Sequence, residues 1–115
     1  MSRKNPSRCA GRQSSPAVLF AALGDKTRLA LVARLSAGRS ASITELTAGA
    51  RITRQAITKH LRVLQRAGIV HSRHAGRESL FELDPTPMQQ MQDYLDHVSR
   101  QWDQALARLK SFVEE

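Results

Sequence analysis

The strongest constraint on how this chain folds is an apolar stripe in its last third. Met88, Met91, Leu95, Val98, Trp102, Ala105, Leu109 and Phe112 follow one another at alternating steps of three and four. That spacing puts all eight side chains on one side of a single helix, predicted to run from about Met88 to Val113 after the chain-breaking Asp84-Pro85-Thr86-Pro87. A chain of 115 residues builds one modest core, too small to bury such a stripe unaided. The stripe therefore points to packing against the same helix, or the first helix, of a second copy of the chain. Leu19, Met91, Leu95, Val98, Trp102, Ala105, Leu109 and Phe112 are the expected interface, with Trp102 as its central anchor. The alternative is an intramolecular stripe that caps the domain.

Charge divides the chain in two. Residues 1–77 hold 15 of the 18 Lys and Arg but only two acids, Asp25 and Glu45. Residues 78–115 hold Arg100, Arg108 and Lys110 against eight acids. A basic front and an acidic back suggest that one surface meets a polyanion while the other does something else. Asp93, Asp96 and Asp103 on the last helix would keep it away from such a partner.

Residues 1–14 are polar and basic, with too little apolar surface to offset ordering entropy, and read as a disordered arm. Arg3, Lys4, Arg8 and Arg12 in it are candidate contacts to phosphate or a minor groove. Ser15-Pro16 reads as an N-cap and first helical residue, opening a short helix that ends at Gly24. Asp25 caps a second helix, 26–37, with Leu29, Val32, Ala33 and Leu35 on its apolar side and Gly38 as its stop. Residues 39–43 are small and polar until Ile43. Thr44 starts a short helix anchored by Leu46, Arg51-Ile52 forms a turn, and Thr53 caps the helix 54–67, which Gly68 ends. Two short strands, residues 69–74 and 78–83, follow as a hairpin around Gly76. The expected fold is mainly α with a small β-hairpin, the winged helix-turn-helix arrangement. Residues 15–84 form its DNA-binding domain and 85–115 a long C-terminal dimerisation helix.

The helix 54–67 is amphipathic in an unusual way. Ile57, His60, Leu61, Leu64 and Ala67 share one side. Gln55, Thr58, Lys59, Arg62 and Arg66 share the other, and the helix holds no acid at all. A helix facing only solvent normally mixes in Glu or Asp for pairs four apart. Gln can pair with adenine, Arg or Lys with guanine, and Thr can meet a thymine methyl group. Arg73, His74 and Arg77 cluster around Gly76 at the hairpin tip and suit a phosphate or minor-groove contact. A merely solvated basic face and an ordinary charged hairpin are the competing readings.

The segment TRQAITKHLRVLQRAGIVHSRHAGRESLFELDP resembles the recognition helix and wing of the ArsR-type (arsenic-repressor-like) regulators. LFAALGDKTRLALVARL resembles that family's opening, and together the likeness covers about residues 16–84. The last helix resembles that of a non-metal branch. The resemblance implies that Thr53, Gln55, Thr58, Lys59 and Arg62 meet DNA, with Arg73 and Arg77 from the wing. Arg54, His74 and Gly76 complete the candidate set. It also implies a homodimer on a near-palindromic operator, read by a recognition helix (53–67) and a basic wing (71–83), most simply as a repressor.

Other functions find less support. There is no phosphate-cradling Gly-rich loop, no paired carboxylates in a cleft and no nucleophile beside a base, so an enzyme is not expected. Many family members sense metals through cysteines near the third helix or Asp/His pairs on the last. Here SASITELTAGA carries no cysteine, and Asp93 and His97 stand without a third ligand. His71 and His74 are three apart on a strand and point to opposite faces, while His60 is expected as a hydrogen-bonded core histidine. No metal or cofactor is expected, and a metal- or redox-sensing repressor of the same fold is the alternative. Cys9 is the single cysteine, which permits no internal disulfide and leaves an intermolecular redox switch as a remote option. An RNA reader would display aromatics for stacking, but only five aromatic residues exist, none on the basic face. A protein-interaction or architectural module remains the non-regulatory alternative. Val18 to Leu23 is too short for a signal-peptide core, and a cytoplasmic protein that avoids membranes is expected.

Overall fold

The computed structural model describes residues 15–38 and 40–114, and the basic arm with Arg3, Lys4, Arg8, Cys9 and Arg12 lies outside them. The first helix, α1 (Pro16–Leu23), starts where sequence chemistry says it should. The Ser15 hydroxyl accepts the Val18 N–H, and Pro16 occupies the first turn, where no N–H partner is needed. Asp25 caps α2 (Lys26–Ala37) by accepting the Arg28 N–H at 3.0 Å. That bond holds the Asp25 carboxyl below its ordinary pKa, with the nearby His60 and Arg28 charges adding to the effect and partial desolvation opposing it.

α2 buries Leu31, Val32 and Leu35, whereas Leu29 and Ala33 face outward. This corrects the expected apolar side. Two stripes compete on this helix, and the one that includes Leu31 meets the core. Gly38 ends α2 as expected, but at a φ of −100° rather than in the left-handed region.

A short strand that the sequence reading missed comes next: β1 (Ala41–Ser42), paired antiparallel with a later strand through Ala41–Phe81 and Ser42–Leu80. Ser42 then caps α3 (Ile43–Thr47), one residue earlier than expected. Its hydroxyl accepts the Glu45 N–H at 3.2 Å while the Glu45 carboxylate accepts the Ser42 N–H at 2.8 Å, a reciprocal capping box. Ser42 is thus a buried polar residue with its hydrogen bonds made. Arg34 reaches from α2 to the far end of α3, donating to the Leu46 and Glu45 carbonyls at 2.7 and 2.9 Å.

Thr53 caps α4 (Arg54–Arg66) through the Ala56 N–H. Ile57, Leu61 and Leu64 on its inner side are buried, with Ala67 beyond its end. Gly68 adopts φ +83°. Its N–H donates to Gln65 O and that of Ile69 to Leu64 O, both at 2.9 Å, the Schellman pattern that closes a helix on a left-handed residue. Buried Ile69 then leads into β2 (Val70–Ala75), which pairs with β3 (Glu78–Leu83) from Val70–Leu83 to Ala75–Glu78. The resulting sheet has the order β1-β3-β2.

The final helix, α5 (Pro85–Glu114), begins three residues before the expected Met88. Pro85 and Pro87 fall in the first turn, where a missing N–H costs nothing, and Asp84 accepts the Thr86 N–H at 2.9 Å. The prolines therefore start this helix rather than break the chain. Met91 and Pro87 are buried on the domain, and Tyr94 meets Phe20 of α1 with ring centroids 6.0 Å apart. Beyond that contact α5 leaves the domain. Fourteen apolar residues, drawn from every element but β1 and from the turn after α4 (Ala67 and Ile69), close into one core that includes Leu19, Leu46 and Phe81.

Candidate nucleic-acid interface

The outer side of α4 displays Gln55, Lys59, Arg62 and Arg66 to solvent, with Thr58 half-buried beside them. Its inner side is fully engaged by the core, so the helix has one free face and that face has no acid. Hydrogen bonds refine what each side chain offers. Thr58 Oγ1 donates to Arg54 O at 2.9 Å, so its hydroxyl is spent within the helix. Thr53 Oγ1 serves as the cap and keeps its proton to donate. Arg54 Nη1 donates to Thr44 Oγ1 at 3.0 Å, tying α3 to the start of α4 with the guanidinium charge unneutralised.

The hairpin sits beside this helix. Gln65 Nε2 donates to Ser72 Oγ at 3.3 Å, a direct strap from α4 to β2. Residues 71–78 are all exposed. The register leaves Gly76 and Arg77 as a two-residue loop, with Gly76 at φ +67°. Tight hairpins of this length favour left-handed backbone, which glycine adopts without strain. Arg77 and His74 stand free at the tip, but Arg73 Nε lies 3.5 Å from Glu82 Oε1 and shares its charge with an acid. The fold thus brings Thr53, Arg54, Gln55, Thr58, Lys59 and Arg62 onto one side of α4, and His74, Gly76 and Arg77 to the adjoining hairpin.

Three supports for this arrangement escaped the sequence reading: the Arg54–Thr44 and Gln65–Ser72 bonds, and a contact behind α4. There His60 Nδ1 lies 3.3 Å from Arg28 Nη1 and 3.7 Å from Asp25 Oδ2. Each joins residues on different elements, so no local pattern announces it.

The proposed interface on α5 needs a correction at its inner end. Leu19 is 1% exposed and Met91 is also buried, so both serve the domain's own core and have no area left for a partner. Leu95, Trp102, Leu109 and Phe112 are exposed, Trp102 at 63% and Phe112 at 77%, with Val98 and Ala105 half-buried between them. Leu106 and Val113 widen this apolar face beyond the stripe.

Residues 40–50 hold no cysteine, and Asp93 accepts a hydrogen bond from Gln89 Nε2 at 3.0 Å. Among the described residues no three His, Cys, Asp or Glu stand close enough to hold a metal ion. Nor is any described helix long and apolar enough to cross a membrane.

Residues 23–73 match a family model described as a helix-turn-helix domain. The HTH-type transcriptional regulator Rv2034 of Mycobacterium tuberculosis is 36% identical over 100 residues, covering 87% of this chain and 90% of that protein. An uncharacterized HTH-type transcriptional regulator of Bacillus subtilis, YuzN, is 37% identical over 79 residues, 64% of this chain and 86% of its own. Among solved structures, an ArsR-like transcriptional regulator from Rhodococcus sp. RHA1 superposes with a TM-score of 0.72 at 35% identity, covering 84% of this chain and 91% of that one. With the winged fold and the acid-free outer face of α4, these likenesses show that the chain belongs to the ArsR-type winged helix-turn-helix transcriptional regulators, proteins that act by binding DNA.

Proposed function

We propose that the chain is a non-catalytic cytoplasmic repressor that binds a near-palindromic operator as a homodimer. The observation that carries this reading is the exposed face of α4, whose only charges are cations and which is flanked by the cationic hairpin tip. In this reading α4 enters the major groove. Gln55 and Arg62 read base edges, the Thr58 methyl meets thymine, and Lys59 and Arg54 approach phosphates. His74, Arg77 and the Gly76 turn lie along the neighbouring backbone, and Arg73 joins them on leaving Glu82. The exposed apolar face of α5, centred on Trp102, packs on its copy and sets two recognition helices about 34 Å apart, one turn of DNA. The acids of α5 then face away from the duplex. Bound over a promoter, such a dimer excludes polymerase.

Selection of bound genomic fragments by the purified protein at near-physiological salt tests this. The expected product is a near-palindrome with half-sites about one helical turn apart, bound with an affinity that falls steeply with salt. Diffuse, sequence-independent binding would replace the regulator with an architectural role.

A further inference from the structure

A cleft of about 620 Å³ lies between α2 and the turn that joins α3 to α4, away from the outer face of α4. It exists because its walls are made of small residues. Ala30 lines it from α2, and Ala48, Gly49 and Ala50 line it from the turn. Gly49 holds φ +78° and has open space where a side chain would stand. The floor is apolar, formed by Leu46, Ile52 and Ile57. Around this apolar hollow stand three cations, Lys26, Arg34 and Arg51, and no acidic side chain lines it.

We propose that this cleft is a binding site for an amphipathic organic monocarboxylate, with its apolar body against Leu46 and Ile52 and its anionic head at the cationic rim to which Lys26, Arg34 and Arg51 contribute. Lys26, Ala30 and Arg34 are four residues apart on α2 and so form one row, with a cation at each end of the hollow. Arg34 is already fixed by the Leu46 and Glu45 carbonyls, at 2.7 and 2.9 Å. A guanidinium carries five N–H donors, so donors remain in a side chain that has already lost its freedom, and an anion binding there orders little more. Apolar volume with a few fixed polar groups is the make-up of small-ligand sites, and the cleft is within their usual size. Because Arg51 and Ile52 belong to the turn that sets α4 on α3, an occupant presses on that junction and lowers DNA affinity. This consequence rests on the reading of α4 as the DNA-contacting helix; the site itself does not.

The test is an NMR titration of the full chain, free of DNA, with sodium decanoate below its micelle concentration. Saturable shifts at Ala30, Ala48, Gly49 and Ala50 are expected, with decan-1-ol binding about fivefold or more weakly for want of the charge. Ala30→Leu fills the cleft at an exposed helical position that leucine suits, and abolishes the shifts. The double variant Lys26→Gln, Arg51→Gln, which leaves the packing alone, weakens decanoate and not decanol. Absent shifts, equal affinity for decanoate and decanol, or shifts centred on Leu106 and Phe112 of α5 would each overturn the proposal. A repeat titration with operator present then reads the effect on DNA without bearing on the site.

Discussion

His60, on the inner side of α4, meets Arg28 of α2 at 3.3 Å from Nδ1 to Nη1. A guanidinium only donates, so as a hydrogen bond this contact takes the ring tautomer with its proton on Nε2, whereas a charged ring turns its Nδ1–H toward Asp25 Oδ2, 3.7 Å away. The same arginine donates through Nε to Ala22 O at 2.6 Å. One side chain thereby joins the end of α1, the start of α2 and the back of α4. Arg28→Met keeps the aliphatic stem and removes both bonds. A loss of about 1–3 kcal/mol in urea unfolding is expected, the cost of leaving partly buried acceptors unmet. An unchanged midpoint would mean that the bonds contribute nothing to stability.

Asp25 caps the same corner, and its stabilising effect depends on pH. Its carboxyl is held below its ordinary pKa, chiefly by the Arg28 N–H. A group lowered in the folded state stabilises fully above its unfolded pKa and loses that contribution as acid protonates it. Asp25→Ala is therefore expected to lower Tm at pH 7, with the gap to the parent protein narrowing below about pH 4. Thermal melts at both pH values check this, and a gap that widens in acid would contradict it.

Gly68 sets the angle at which the hairpin leaves α4. At φ +83°, with nothing within 4 Å of an added Cβ, its replacement meets a backbone cost and no clash. Gly68→Ala should cost about 1–2 kcal/mol, read by denaturant unfolding. A larger loss would show that the hairpin and helix rearrange together.

Arg62→Ala and Gln55→Ala should each weaken operator binding by about 1–3 kcal/mol, as loss of a base contact does. Both side chains are exposed, so circular dichroism should stay unchanged. Fluorescence anisotropy with labelled operator measures the effect. Unchanged affinity in both variants would remove the outer side of α4 from the DNA contact.

Trp102 touches little of its own chain, being 63% exposed. Trp102→Glu is accordingly expected to leave the fold intact and yield monomers in sedimentation velocity. Dimers persisting at micromolar concentration would place the subunit contact elsewhere.

Much of this was legible in residue order because its causes are local. Ser15, Asp25 and Thr53 cap helices through N–H groups three residues on, and the row Ile57, Leu61, Leu64 repeats with the helical turn. Gly68 and Gly76 mark left-handed turns that few other residues tolerate. The apolar row on α5 announced a helix too long for one small domain. What the order of residues left open depends on distant partners. β1 exists only because Phe81 and Leu80 lie alongside it, across the entire helix-turn-helix. On α2, Leu29 and Leu31 offer rival apolar sides, and packing decides that Leu31 goes inward. Whether Leu19 and Met91 belong to the core or to an interface is decided by how α1 and α5 meet. The Arg28–His60 contact and the cationic cleft likewise join elements that periodicity treats one at a time. Capping and amphipathicity act within a turn or two of chain, whereas burial, cross-strand pairing and clefts are properties of surfaces brought together by the fold.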